Sequence, residues 1–426
     1  MRYLLFYNEK DSFNNNTNRD DSFMTTRTRN LYILMLANLL MSASMTMIMP
    51  FLSLYIETFG YYSNAYVQRW AGYIFGVTFL IAFIFSPIWG RIGDKHGYKG
   101  ILILTSVGLS ICIFLMGFAH SVTYLLILRI FMGVVTGFIG VSNAFIARQT
   151  PRNEAGKVLG TLQLGGVTGM LFGPLIGGAM ADLFGFKDTF TITGIAMMVA
   201  ALIVAFGVKE IRTEEQKEAA KVVYSRRAVL KQIFTLRVLF TVMVITALIQ
   251  IANFSVQPLL ALYVGDMTQS DNIAFLSGLA FSATGFGNLV MTRKWGQLGD
   301  KYGYEKILNI LLIMAAVFVI PQAFATNLWV FIFFRFLFGI AIGGMVPCTT
   351  AYIRLAAPGV MQGEMLGYNQ SARFLGNVIG PILGGTLAGF TGIPSVFLFM
   401  SFMFLVAFFI LLYALRSDRK RHVNVD

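Results

Sequence analysis

Arg129 and Arg373 carry charge inside stretches otherwise built of apolar, glycine and small polar residues. A guanidinium at the centre of a bilayer costs at least about 2.5–3.5 kcal/mol, so such a residue is a functional-site candidate by default. Arg129 falls roughly 12 Å into its stretch, counting about 1.5 Å per helical residue, and Arg373 falls near the middle of its own. The alternative is a structural hydrogen-bonding role. The carboxylates that could answer them are Glu57, at the end of the first apolar stretch, and Asp94 and Asp300, in polar stretches. None stands in the middle of an apolar stretch. Glu57 and Arg129 lie towards one membrane face, which makes them a candidate pair. Arg373 is left unbalanced, and on Coulomb grounds it favours anionic, zwitterionic or neutral solutes.

Uncharged polar residues recur at helical spacing around these sites. Thr246, Gln250, Asn253 and Gln257 form one stripe, and Asn38, Ser42 and Thr46, with Met45 and Met49 beside them, form a second. Gly133, Thr136, Gly140 and Asn143 form a third, and Asn369, Arg373 and Asn377 a fourth. Lipid rejects such stripes, so they face protein or water. Ser42, Met45, Met49, Asn143, Gln250, Asn253, Gln257, Asn369 and Arg373 are the candidate solute-cavity residues. Methionine and aromatic side chains make adaptable apolar surfaces. Most of the 22 Met and 40 Phe must nonetheless serve lipid contact or core.

These stripes need elements to hold them, and composition says which. Hydrophobic residues make up 56% of the 426 and charged residues 12%. Soluble chains carry about 25% charged residues, so lipid must cover much of this surface. Twelve stretches are long enough for a bilayer core, which takes about 20 residues: 31–56, 69–90, 99–119, 122–147, 158–182, 187–208, 238–264, 271–294, 305–325, 328–354, 362–389 and 393–415. The predicted class is an all-α membrane protein of twelve transmembrane helices. Residues 1–30 read as a polar tail in which Met24 is an alternative start, 209–237 as a charged linker, and 416–426 as a second tail. Within the linker, Glu214, Glu215, Lys217, Glu218 and Lys221 have the spacing of an interfacial helix.

The net charge of +13 is not a nucleic-acid patch. Arg91, Lys95 and Lys99, then Arg148, Arg152 and Lys157, then Arg293, Lys294, Lys301 and Lys306, fall after even-numbered spans, and Arg416, Arg419, Lys420 and Arg421 close the chain. The opposite loops offer Arg69 and Lys187. The positive-inside rule then places both termini in the cytoplasm. Compact loops point to a bacterial cell membrane, and a monomer is expected. Cys112 and Cys348 lie in apolar runs, and His96, His120 and His422 are scattered, so neither a disulfide framework nor a metal site is expected. No cofactor is expected: there is no GxxxxGK[ST] nucleotide loop. An embedded enzyme would need clustered titratable groups at bilayer depth, and a sensor would need a soluble output domain.

The chain also repeats itself. Gly90-Arg91-Ile92-Gly93-Asp94-Lys95-His96-Gly97-Tyr98-Lys99 returns as Gly296-Gln297-Leu298-Gly299-Asp300-Lys301-Tyr302-Gly303-Tyr304, with the aspartates 206 residues apart. Pro50 to Ile56 matches Pro258 to Val264, and Arg129 with Gly133 matches Arg335 with Gly339. Gly169, Gly173, Pro174, Gly177 and Gly178 match Gly376, Gly380, Pro381, Gly384 and Gly385. Six-span bundles at 31–208 and 238–415 are therefore expected. The glycines of the 90–99 stretch permit a tight turn, and Asp94, near the start of span 3, is favoured by that helix's dipole. Gly90, Arg91, Asp94, Gly97, Lys99 and Asp300 then read as a conformational latch, against a plain topogenic turn. Gly169, Gly173 and Gly177 share one helix face for close packing, with Pro174 bending span 5 and the glycine face set against span 8 or 11.

With these motifs, residues 31–415 resemble the major facilitator superfamily, and within it the twelve-span drug:proton antiporters. The resemblance implies two pseudo-symmetric six-helix bundles, solute passage between them, and a latch role for the 90–99 stretch. It implies proton coupling at the span-4 arginine, Arg129; Glu57 and Asp94, among the nearest carboxylates in the sequence, are further candidates. It reads Gly169 to Gly178 as the stretch that marks exporters. The expected function is proton-coupled export of amphipathic small molecules. The alternative is a carrier of one metabolite, sugar-like, or of a lipid. One departure stands out: many relatives that expel cationic drugs carry a buried carboxylate, and this chain shows none.

Overall fold

The computed structural model describes residues 26–150, 154–210, 237–268, 270–356 and 362–423, and every regular element among them is helical. The helices are α1 (Thr26–Glu57), α2 (Asn64–His96), α3 (Lys99–Met116), α4 (Val122–Gln149), α5 and α6 (together Ala155–Gly207), α7 (Leu239–Met267), α8 (Ile273–Tyr302), α9 (Tyr304–Ala323), α10 (Leu328–Ala356), α11 (Gln362–Thr391) and α12 (Ile393–Val423). The run Ala155–Gly207 is too long for one crossing. It breaks at Gly185, whose φ of 79° suits a residue without a Cβ. α5 is thus 155–184 and α6 186–207, and the twelve-helix architecture expected from the sequence is present. An even number of crossings returns the chain to the side it left. Met24 and the charged pattern from Glu214 to Lys221 lie outside the described residues.

Several helices run further than hydropathy implied. α2 continues through Gly90, Gly93 and Asp94 to His96, and ends at Gly97, with φ 102°. α8 likewise ends at Gly303, with φ 94°. The 90–99 stretch is therefore mostly helix. The reason lies in packing: a Cβ at Gly93 would meet Cδ1 of Tyr98 at 2.5 Å, and one at Gly299 would meet Cδ1 of Tyr304 at 2.5 Å. Those glycines make room for a tyrosine ring instead of turning the chain. Asp94 sits in the last turns of α2, so the dipole argument for it fails. The N-terminus of α3 is served by Glu210, whose carboxylate accepts from Tyr98 N at 2.9 Å and Lys99 N at 3.3 Å. α12 carries on to Val423, so the tail expected from 416 begins as helix.

Proline shapes two more helices in the same way. α1 passes through a 3-10 turn at Met49–Phe51, and α7 through one at Gln257–Leu259, each with its proline near the start. α4 breaks between Val135 and Phe138, so Gly133 and Asn143 do not share one straight face.

Apolar burial gathers into two large cores. One joins Leu34 through Val208 with Ala274, and the other joins Ile245 through Leu411. Matching hydrogen bonds tie each. Tyr55 donates to Met116 O at 2.7 Å and Tyr263 to Gln322 O at 2.7 Å; Trp89 donates to Val134 O at 2.7 Å and Trp295 to Ile340 O at 2.8 Å. The duplicated sequence thus places the same donor on the same carbonyl twice.

Candidate functional site

The two cores meet along two antiparallel seams, α2 with α11 and α5 with α8. At one end of the molecule the seams close backbone on backbone. A Cβ at Gly385 would meet Cα of Gly72 at 3.0 Å, one at Gly178 would meet Ala274 C at 2.7 Å, and one at Gly278 would meet Pro174 C at 2.9 Å. Further in, Ser282 donates to Leu171 O at 2.8 Å, and the rings of Phe79 and Phe254 touch across the cores at 5.4 Å.

Each seam adds one charged group at this end. Asp182, on α5, accepts from Ala274 N at 3.2 Å and Phe275 N at 2.7 Å, so a carboxylate from one core caps the helix that opens the seam in the other. On the second seam the guanidinium of Arg69 lies 4.2 Å from the Phe390 ring centroid, beside Gly389. Neither residue was among the expected site residues; Arg69 had counted only as a loop charge. Asp182 follows Gly178 by one helical turn, which is the signal the sequence offered.

The opposite end is open. Cβ atoms at Gly90, Gly160, Gly296 and Gly367 would meet nothing within 4 Å among the described residues. Each lies eighteen residues along its helix from a packed glycine: Gly72 and Gly90 on α2, Gly160 and Gly178 on α5, Gly278 and Gly296 on α8, Gly367 and Gly385 on α11. Eighteen residues are about five helical turns, so both members of each pair lie on the seam face, about 27 Å apart.

The expected exporter glycines fall elsewhere. Gly169, Gly173 and Gly177 pack on α1, where their Cβ atoms would meet Ala43 N at 2.7 Å, Ala43 O at 2.5 Å and Met47 Cα at 2.7 Å. Of that set Gly178 alone faces α8, and Pro174 contributes its carbonyl end to the seam. The glycine face therefore binds span 5 within its own core, not against span 8 or 11.

The expected cavity residues form two groups. In the first, Ser42 is buried beside Gly166 and Gly169 with its Oγ unpartnered, Asn38 accepts from Ser142 at 2.9 Å, and the half-buried Asn143 has a free Oδ1. Met45 and Met49 are half-buried against the first core. In the second group Gln250 lies against Gly376, Asn253 is half-buried, and Gln257 and Asn369 are buried with Oε1 and Oδ1 unpartnered. Arg373 donates to Gln370 at 3.2 Å through Nη1, and its buried Nε has no partner. No hydrogen bond among the described residues joins the two groups.

Arg129 is 5% exposed and Arg335 3%, with Arg129 Nε and Nη2 and Arg335 Nη1 unpartnered. Arg335 Nε donates to Ala280 O at 3.4 Å. Glu57 is exposed at the end of α1, and no bond joins it to Arg129, so the candidate pair is not formed. Depth alone had matched the two. Asp300 accepts a hydrogen bond from the Tyr304 hydroxyl. The backbones of Gly90, Arg91 and Asp94 sit on α2, and Gly97 and Lys99 bound the turn into α3; Asp94's side chain is outside the description. No group of three or more metal-ligand residues occurs among the described residues.

The sequence profile of the Major Facilitator Superfamily matches residues 34–320 and 274–426. The chain belongs to the major facilitator superfamily. An uncharacterized MFS-type transporter, YuxJ of Bacillus subtilis, is 56% identical over 369 residues, 87% of this chain and 94% of that protein. The multidrug resistance protein MdtG of Dickeya zeae is 37% identical over 405 residues, 95% of this chain and 98% of that one. Among solved structures, a bacterial homologue of the human lysosomal transporter Spinster, inward-facing and occupied, superposes with a TM-score of 0.77 at 15% identity, covering 92% of this chain and 97% of that one. At that identity the likeness establishes the fold. The superfamily membership and the apolar helices make this a multi-pass membrane transporter.

Proposed function

We propose that the protein is a proton-coupled exporter of amphipathic small molecules, working by alternating access between two six-helix bundles at 31–208 and 238–415. The observation that carries this reading is the glycine spacing on the four seam helices. One layer is packed, a matching layer about five turns away is open, and unpartnered polar groups lie between them. Rocking the bundles would close the open layer and release the packed one. Export of drug-like compounds is supported by relatives named multidrug resistance proteins. The basic loops support cytoplasmic termini, and the bacterial relatives support a bacterial plasma membrane. In that orientation the open end faces inward. Asp94 and Glu57 remain the proposed proton-exchanging groups with Arg129 beside the pathway, and Asp182 joins them. The 90–99 stretch and Asp300 serve as the latch at the open end, and Ser42, Met45, Met49, Asn143, Gln250, Asn253, Gln257, Asn369 and Arg373 line the solute path.

The test is transport in proteoliposomes with an imposed pH gradient, measured for cationic, neutral and anionic amphiphiles. Accumulation that follows the gradient and collapses with a protonophore is expected. Transport insensitive to the gradient removes proton coupling, and no transport of any amphiphile removes the export reading.

A further inference from the structure

The geometry points to a solute site built around Arg373 that takes amphiphiles with an anionic head, such as a sulfonate, phosphonate or carboxylate. This rests on the export reading and narrows its substrate class. α11 wedges between α7 of its own core and α2 of the other. Gly376, Gly380 and Gly384 face α7 through Ala247, Ile251 and Ser255, while Gly385 and Ile382 face α2 at Gly72 and Gly76. Leu375, Leu383 and Phe390, 49%, 43% and 73% exposed, mark the outer edge that meets lipid.

Advancing about 100° per residue puts Gln370 and Asn377 on the remaining edge, opposite the lipid-facing one and turned to the space between the cores, with Arg373 beside them towards the α7 side and its guanidinium reaching Gln370. Gln370 is exposed there, so the edge borders open volume.

The chemistry of that edge is one-sided. Arg373 has one neutral hydrogen-bond partner, Gln370, its buried Nε–H is unengaged, and the neighbouring Asn369 and Asn377 amides are incompletely bonded. No ion pair to Arg373 occurs among the described residues. A guanidinium keeps its charge and presents a planar fork matched to carboxylate- or phosphate-like groups. Arg129 and Arg335 are as poorly paired but almost wholly enclosed. Arg373 is the one of the three that is partly exposed, with its Nη1 on the exposed Gln370. It lies roughly 9 Å from the level of the open glycine Gly367 and roughly 18 Å from that of the packed Gly385, a third of the way along the path from the open end. About two turns towards the closed end, beside Gly380, the half-buried Phe254 meets Phe79 and offers the tail an apolar surface.

The test measures binding of radiolabelled decanesulfonate and decyltrimethylammonium, identical in chain and opposite in charge, to the full-length protein in phosphatidylcholine nanodiscs. Wild type is expected to prefer decanesulfonate. Arg373→Gln is expected to weaken decanesulfonate about tenfold or more, the contribution of one hydrogen bond to a charged group, and to leave decyltrimethylammonium unchanged or tighter. Arg373→Lys keeps the charge without the fork and should fall between. Equal decanesulfonate binding by wild type and Arg373→Gln overturns the assignment. Parallel loss of both ligands makes Arg373 structural and overturns it too. Competition by phosphatidylglycerol added to the nanodiscs would assign the site to a lipid headgroup and overturn the solute reading. In proteoliposomes, export of decyltrimethylammonium without decanesulfonate overturns the anionic class while export stands. Export of neither fails the export reading, and the binding split still decides Arg373.

Discussion

Replacing Asp182 by Asn should loosen the closed end of the molecule. The carboxylate accepts from two amides in the first turn of α8, at 3.2 Å and 2.7 Å, and carries its charge to the positive end of that helix. Asn keeps one acceptor oxygen and loses the charge. A lost cap contributes about 1 kcal/mol, and a charge at a helix terminus about 0.3–1 kcal/mol. Together, roughly 1–2 kcal/mol moves a two-state ratio about five- to thirtyfold. The glycine contacts of both seams and the Arg69–Phe390 contact remain, so the population shifts and the fold survives. Spin labels at Leu183 and Asp271, both exposed beside the seam, report the distance by double electron–electron resonance once the buried Cys112 and Cys348 are replaced. Asp182→Asn should add a longer-distance population, and Asp182→Ala a larger one. Protonation removes the same charge, so lowering the pH should carry wild type towards the Asn distribution and leave Asp182→Asn unmoved. If both variants show the wild-type distances at every pH, the carboxylate does not hold the seam and the reasoning fails.

Three further outcomes follow from the same geometry. Gly178→Ala and Gly278→Ala force a methyl into the opposing backbone, which costs about 1–3 kcal/mol, and should open the same label pair, while Gly90→Ala, with nothing within 4 Å, should not. Glu210→Gln removes the charge that caps α3 and should lower the unfolding midpoint in detergent by the equivalent of about 1 kcal/mol, with Glu210→Ala losing more. Arg129→Met replaces an unpaired buried cation with an apolar chain. Such exchanges are often neutral or stabilising, by about 1–4 kcal/mol, so thermal stability should hold or rise while proton-driven export falls; a variant that loses stability as well would make Arg129 structural.

Much of this architecture is legible in the sequence because the bilayer makes it so. Apolar runs long enough to cross must be helices, and Arg129 with Arg335, or Pro50 with Pro258, date the halves to one plan. What was not legible depends on neighbours. Gly93 and Gly299 look like turn residues until Tyr98 and Tyr304 are seen filling the space they leave. Gly169 to Gly177 announce close packing but not against which helix. Glu57 and Arg129 share a depth, yet depth says nothing about direction around a helix, and their side chains do not meet. Glu210 caps α3 from 111 residues away, a contact no local pattern encodes. Asp182 reads as a span-end carboxylate until the first amides of α8 are found above it.

The glycines explain why one packed end is half of the account. A glycine inside a helix costs about 0.5–1 kcal/mol relative to alanine, so four open ones carry roughly 2–4 kcal/mol that no contact among the described residues offsets. Gly100 on α3 and Gly140 on α4 are open as well, so openness alone marks nothing. Position does: Gly90, Gly160, Gly296 and Gly367 sit on the four seam helices, each in phase with a glycine that is packed. If the antiparallel register in which Gly72 meets Gly385 is followed down α2 and α11, Gly90 falls opposite Gly367. A second arrangement that joins those two, and seats Gly160 and Gly296 on their opposing helices, would give the open glycines the contacts they lack here. It would also separate Asp182 from α8 and Arg69 from Phe390. Those charged contacts bear on one arrangement only, whereas the glycines would serve both, and that difference would let a solute or a proton near the closed end shift the balance between them.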